Sequence, residues 1–194
     1  MSIPPEILQR LRKSLDKATE TSLPEPGAMT LTTCGASGQP SARTVLLRGL
    51  DARGLVFYTN LGSRKSRQIL ENPRVALCFY WPPLAEQVLI EGEVEPVDNM
   101  EADAYWKTRP RDSRIGAWAS RQSEPLESRF AFLRRFVAQA TRFGSGWVPR
   151  PSFWSGYRVI PNRIEFWINR PFRLHERLCF EREGDTWTRY VLYP

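Results

Sequence analysis

The stretch "RVALCFYWPPLAEQVLIEGEVEPV", Arg74 to Val97, decides the fold. Two runs rich in β-branched and aromatic residues flank the breaker Pro82-Pro83-Leu84-Ala85. Such runs read as strands, and a short connection makes them antiparallel neighbours. The same signal recurs on both sides. Upstream, "MTLTTCG" (29–35) and "SARTVLLRGLD" (41–51) are joined by the turn-like "ASGQP", and "GLVFYTN" (54–60) follows "DARG". Downstream, "SGYRVIPNRIEFWI" (155–168), "RLHERLCFERE" (173–183) and "TWTRYVLYP" (186–194) return to strand composition, the last two joined through Gly184-Asp185. Short strands at short intervals predict an antiparallel barrel or sandwich.

Helical patterns interrupt the strands. "PPEILQRLRKSLDKA" places Leu8, Leu11, Leu15 and Ala18 at helical spacing after two prolines, which predicts an N-terminal helix within residues 1–22. "SRKSRQILENP" starts with Ser63 as a cap and stops at Pro73. A helical subregion is expected over 98–143: "DNMEADAYWKTRP" opens with the capping-box spacing of Asp98 and Glu101, and "LESRFAFLRRFVAQATRFG" is a basic amphipathic helix closed by Gly144. The coarse result is a mainly β fold with peripheral helices (α+β), built as one domain over 1–194.

The chain has 194 residues, 41% hydrophobic, enough for one core and short for two. Its net charge of +7 favours anionic partners, yet the cations are interleaved with acids and apolar residues, so local phosphate sites explain the charge as well as nucleic acid does. Cys34, Cys78 and Cys179 are far apart and, with a single histidine, no metal site is expected. Strand-like surroundings point to free thiols. No apolar run approaches the ~18 residues of a membrane span, and no signal core is present at the start. A soluble, cytoplasmic setting is the expectation.

Candidate chemistry sits in a few places. "TNLGSRKSRQI" is a strand end, a turn and a helix start carrying Ser63, Arg64 and Lys65. A helix N-terminus favours an anion, and two cations there oppose the dipole unless an anion is bound. "SARTVLLRG" carries Arg43 and Arg48 at opposite parity, so on a regular strand they face opposite ways. "YWKTRPRDSRIGAWASRQS" gathers Arg109, Arg111, Arg114 and Arg121 among Tyr105, Ser113, Gln122 and Ser123, as a site or as a charged surface loop. In "FRLHER", a strand would put Arg173, His175 and Arg177 on one face. No nucleophile triad, dinucleotide-binding glycine motif or P-loop is legible.

Taken together, "RTVLLRG", "GLVFYTNLGSRKSRQI", "NPRVAL", "EQVLIEGEVE", "YWKTRPRDSRIGAWASRQS", "PSFWSGYRV", "RIEFW" and "RLHER" resemble, in order, blocks of the pyridoxine (pyridoxamine) 5′-phosphate oxidase family, whose fold is the FMN-binding split β-barrel. The resemblance runs from about Leu23 to Pro194. It implies a homodimer with FMN sites in the clefts between subunits. It implies FMN contacts at Arg43, Thr44, Val45, Leu46, Leu47, Arg48, Tyr58, Thr59, Arg64, Lys65, Gln87, Gln122, Ser123, Trp167 and Arg177. Substrate contacts would be Arg48, Tyr105, Arg109, Ser113, Arg173, Leu174 and His175, with Arg173 and His175 catalytic. Tyr105, Arg109 and Ser113 stand at helical i, i+4, i+8 spacing, which would present one polar face to a substrate phosphate.

The chemistry so implied is hydride transfer from the C4′ carbon of pyridoxine or pyridoxamine 5′-phosphate to flavin, with dioxygen as acceptor, hydrogen peroxide as product and pyridoxal 5′-phosphate released. The chain departs from the family pattern at Arg48, where lysine is usual, and at Ile168-Asn169, where Gln-Gly is usual. Ser155-Gly156-Tyr157 replaces Gly-Gly-Tyr, and an Arg-x-x-Tyr element near the N-terminus has no match. These substrate-side changes motivate an alternative, a split-barrel flavin oxidase acting on another planar anion such as a phenazine precursor. A third reading, a basic barrel binding single-stranded nucleic acid, uses the charge but leaves the ordered blocks unexplained.

Overall fold

The structure, a computed structural model, describes residues 2–194. The chain opens with α1 (Pro5–Thr19), β1 (Ala28–Cys34), β2 (Pro40–Leu46), β3 (Gly49–Asp51), β4 (Gly54–Asn60), α2 (Arg64–Glu71), β5 (Arg74–Trp81) and β6 (Glu86–Pro96). Three helices follow, α3 (Asn99–Thr108), α4 (Arg111–Ala119) and α5 (Arg129–Phe143), and then β7 (Trp154–Ile168), β8 (Glu176–Glu183) and β9 (Thr186–Val191). One sheet runs in the order β2-β1-β5-β6-β7-β4-β3, with β8 between β7 and β9. The architecture is the expected one, mainly antiparallel β with helices. The chain divides into two compact units, one holding the residues up to Phe57, Gln68–Glu95 and Arg158–Pro194, the other Tyr58–Arg67 and Pro96–Tyr157.

In the first unit, β5 and β6 pair from Arg74↔Glu93 to Trp81↔Glu86 across a tight turn in which Ala85 takes φ 51°. Leu77, Phe79, Trp81, Val88 and Ile90 from this hairpin are buried in the core. Gly92 is required by packing: a Cβ there would lie 2.2 Å from the carbonyl oxygen of Ile160. On α1 the buried stripe is Ile7, Leu11, Ser14 and Ala18, rotated by one position from the expected Leu8 and Leu15, which stay partly exposed. Ser14 is tolerated in that stripe because its hydroxyl donates to the buried Glu86 carboxylate at 2.5 Å.

The single strand expected over 41–51 is two strands. The chain changes partner at the break: Leu47 N–H donates to Gly27 O, and Arg48 N–H donates to Val56 O. The strand expected to start at Arg173 starts instead at Glu176, because Phe172 and Arg173 take φ 57° and 61° in a turn after β7. Extended alternation cannot pass through two left-handed residues, so Arg173 and His175 are not on a strand face with Arg177.

In the second unit, Asp98 caps α3 by accepting from Glu101 N–H at 2.7 Å. The helix ends at Thr108, since Pro110 disfavours helical geometry at Arg109. Tyr105, Arg109 and Ser113 therefore do not share one continuous helix, and the expected i, i+4, i+8 face is broken. Trp106, Ile115, Val148 and Trp154 form this unit's core. Among the described residues no helix is long and apolar enough to cross a membrane.

Candidate active site

At the start of α2, the sequence "SRKS" folds a lysine inward. Lys65 is only 7% exposed. Its Nζ donates to Thr59 Oγ1 at 2.9 Å, to Ser63 Oγ at 3.1 Å and to Gln122 Oε1 at 3.3 Å. Ser63 stands immediately before the helix, and its carbonyl accepts the first-turn bond from Arg67 N–H. Ser66, fully buried, donates to Asn60 O at 3.0 Å and fixes the turn. Arg64 and Ser123 are exposed beside these residues in the chain, with Ser123 at φ 72°. An open cleft of about 300 Å³ borders Gln122, lined also by Asn60, Gly62, Ser120 and Arg121. Thr59, Ser63 and Gln122 hold the buried ammonium in place at the helix start. The donor set fits a bound dianion such as a phosphate ester.

A second group is aromatic. Tyr58 stacks on Tyr105 with ring centroids 4.0 Å apart and planes 8° apart, and on Trp154 at 5.4 Å and 3°. The Arg109 guanidinium lies 4.7 Å from the centre of the Trp154 ring, and its Nη2 donates to Ser113 O at 3.1 Å. The structure thus joins Tyr105 and Arg109 through Trp154 despite the helix break, and ties Ser113 to Arg109 through its backbone carbonyl. Cation–π stacking holds the guanidinium plane against the indole. Tyr58 belongs to this stack, and neighbouring Thr59 to the Lys65 cluster, because successive strand residues face opposite ways.

Within the first unit, Arg43 is tied down by Leu31 O at 3.1 Å, Thr33 Oγ1 at 2.7 Å and Ser41 Oγ at 2.5 Å. Thr44 is exposed, Val45 is buried, and Leu46 and Leu47 are half-buried. Arg48 lies 3.9 Å from Glu25 across an exposed pair, and Gln87 is half-buried opposite Tyr80 in the β5–β6 ladder.

The tail forms a separate group. Trp167 on β7 pairs directly with Arg177 on β8. The His175 ring centre is 4.7 Å from that of Trp167, tilted by 42°. Arg177 donates to Glu165, from Nε at 2.7 Å and from Nη2 at 3.1 Å. Arg173 and Leu174 are exposed in the turn before β8, and the structure does not bring Arg173 to these three through a strand. Glu165 is 2% exposed. Burial pushes its carboxyl up, but hydrogen bonds from Arg177 and Arg163 outweigh that and hold it below the usual carboxylate range.

Trp154 and Glu165 escaped the reading of the sequence. Glu165 had a signal: it shares strand parity with Arg163 and Trp167, so an acid stood on the same side as a cation and a candidate flavin contact. Trp154 had only its place in "PSFW", which is equally a core position.

With this geometry in view, the chain matches the family model described as pyridoxamine 5′-phosphate oxidase over residues 15–142, and that of the pyridoxine 5′-phosphate oxidase C-terminal dimerisation region over 154–194. The chain belongs to the pyridoxamine 5′-phosphate oxidase family. It is 54% identical over 190 residues to the pyridoxine/pyridoxamine 5′-phosphate oxidase of Rubrobacter xylanophilus, covering 98% of this chain and 88% of that one. It is 52% identical over 196 residues to the protein of that name from Alkalilimnicola ehrlichii, covering all of both chains. Among solved structures it resembles PhzG from Burkholderia lata 383 in complex with tetrahydrophenazine-1-carboxylic acid, with TM-score 0.93, 32% identity, and coverage of 98% and 94%. An FMN-binding protein from Nostoc punctiforme shares the fold at TM-score 0.80 and 20% identity over the full length of both chains.

Proposed function

We propose that this protein is an FMN-dependent oxidase that converts pyridoxine 5′-phosphate or pyridoxamine 5′-phosphate to pyridoxal 5′-phosphate, using dioxygen and releasing hydrogen peroxide. The observation that carries the proposal is the buried Lys65 ammonium, set among Thr59, Ser63 and Gln122 at the start of α2. It suits the phosphate of FMN, with Arg64 as a second cation. When bound, FMN supplies the two-electron acceptor and dioxygen restores it.

The chain's residues bind and orient. Tyr105, Arg109 and Ser113 hold the substrate phosphate, Arg109 preset by its stack on Trp154. Trp167 and Arg177 contact the flavin, alongside Arg43 to Arg48 and Gln87. Arg173 and Leu174 cover the substrate, Arg173 supplying fixed positive charge where electron density changes. His175 meets a substrate polar group through a ring nitrogen. The match of 154–194 to a dimerisation region supports a homodimer as the working form.

The likeness to PhzG favours a second reading, oxidation of a reduced phenazine carboxylic acid. The higher identity to proteins named for the B6 phosphates favours the first. Parallel peroxide assays with pyridoxine 5′-phosphate, pyridoxamine 5′-phosphate and a reduced phenazine carboxylic acid decide between them. A kcat/KM at least tenfold higher for a B6 phosphate is expected; the reverse order rejects the proposal.

A further inference from the structure

Glu165 has no role in the functional reading given above, yet it is among the most buried acids of the chain, 2% exposed. It lies on β7 opposite Cys179, two pairs along from Trp167↔Arg177 and so on the same face of the sheet. Both of its oxygens face Arg177: Nε is 2.7 Å from Oε1 and Nη2 is 3.1 Å from Oε2. That is the parallel, two-bond fork that fixes a guanidinium in plane as well as in place. Arg163 approaches from the other side, with Nη2 2.7 Å from Oε2, and its Nη1 reaches Glu91 at 3.1 Å. The third corner of Arg177 is tied as well, Nη1 donating to Tyr193 O at 3.2 Å.

Arg177 thus cannot choose its orientation. The charge that Glu165 carries is balanced by two cations, and the two are held differently. Arg163 is shared between Glu165 and Glu91, whereas Arg177 has Glu165 as its carboxylate partner in the fork. Arg177 in turn stands beside Trp167 and His175, both assigned to the chemistry.

We infer that Glu165 is a positioning residue: it locks the guanidinium of Arg177 in the orientation that receives the flavin, so that FMN binding need not order that side chain. This rests on the proposed contact between Arg177 and FMN. The fork, and not the ion-pair network as a whole, is what the flavin needs.

The test is FMN release from the purified holoprotein on dilution, followed by flavin fluorescence, in Glu165→Gln, Glu165→Asp, Arg163→Gln, Arg177→Ala and the Glu165→Gln/Arg177→Ala pair. Glutamine keeps the shape without the charge; aspartate keeps the charge but falls short of the fork. Each is expected to weaken FMN about tenfold, the size of one charge-assisted interaction. Arg163→Gln disturbs the same carboxylate but leaves the fork intact, and is expected to bind FMN as the parent does. In the Arg177→Ala background, Glu165→Gln is expected to change affinity less than about twofold, since its effect passes through Arg177. If Glu165→Gln fails to fold, Glu165→Asp carries the same expectation. Parent-like FMN affinity in the Glu165 variants, equal losses in Arg163→Gln, or an undiminished loss in the double variant each overturn the inference while the Arg177 contact stands. Parent-like affinity in Arg177→Ala removes that contact itself, and the inference with it.

Discussion

His175 Nδ1 accepts a hydrogen bond from the backbone N–H of Arg170 at 3.2 Å. An accepting Nδ1 fixes the neutral tautomer, so the proton of the ring sits on Nε2. The ring is braced by Trp167, and Arg170 is itself braced by Glu176, Nε to Oε1 at 2.7 Å. His175 therefore offers its surroundings an N–H donor at the far side of the ring.

Glutamine places an N–H₂ group near the position of Nε2, and asparagine places one near Nδ1. At saturating FMN, His175→Gln is expected to retain several-fold more kcat/KM for pyridoxine 5′-phosphate than His175→Asn. Steady-state peroxide formation checks this, and asparagine as the better substitute would place the working nitrogen on the wrong side.

Arg173 is held at φ 61°, where most side chains are strained and glycine is not. Arg173→Ala is expected to lower kcat/KM by ~10²-fold or more, about 2.7 kcal/mol of transition-state stabilisation. Arg173→Gly should lose as much activity yet melt higher than Arg173→Ala, because it relieves the backbone. Recovery of activity in the glycine variant would show that conformation, not charge, is what Arg173 contributes.

Lys65→Ala removes a buried ammonium that donates to Thr59, Ser63 and Gln122. FMN affinity is expected to fall about tenfold to a hundredfold, in line with roughly 1.5–3 kcal/mol for a charge-assisted hydrogen bond. Unchanged release of flavin on dilution would reject the phosphate assignment.

Arg109→Lys keeps the charge but loses the flat stack on Trp154. KM for the phosphorylated substrate is expected to rise about tenfold with kcat little altered, the pattern of lost uniform binding. A fall in kcat at constant KM would move Arg109 from holding the phosphate to the reacting end.

Most of this fold was legible because its strands are separated by strong breakers. Pro82-Pro83 marks the β5–β6 turn, and Asp98 with Glu101 marks the start of α3. The departures come from local backbone geometry that no propensity records. Nothing in "RPFRLHER" announces two consecutive left-handed residues, so composition predicts the strand three residues too early. Pro110 announces the break at Arg109, but spacing alone suggests a continuous face. The candidate site residues come mainly from a set of ordered blocks. From single residues only the Lys65 turn declared itself, since cations at a helix start oppose the dipole unless something anionic is bound.

Glu165 also sets a pH dependence. Its folded pKa is lowered relative to the unfolded chain, burial opposing and Arg177 and Arg163 prevailing. The stability it contributes is therefore present above the ordinary glutamate pKa of ~4.3 and is lost as pH falls through the folded value. Glu165→Gln is expected to flatten the fall of Tm with acidification below about pH 4.3 relative to the parent. Parallel curves in that range would mean the carboxylate contributes no such linkage.

The most direct test of the proposed activity is an anaerobic single turnover. The yellow protein is mixed with pyridoxine 5′-phosphate without oxygen, and flavin absorbance is followed. Bleaching of the flavin band with matching formation of pyridoxal 5′-phosphate, then recovery of the colour and an equal amount of hydrogen peroxide on admitting air, is the expected result. A flavin that stays oxidised with both pyridoxine and pyridoxamine 5′-phosphate, yet bleaches with a reduced phenazine carboxylic acid, would contradict it.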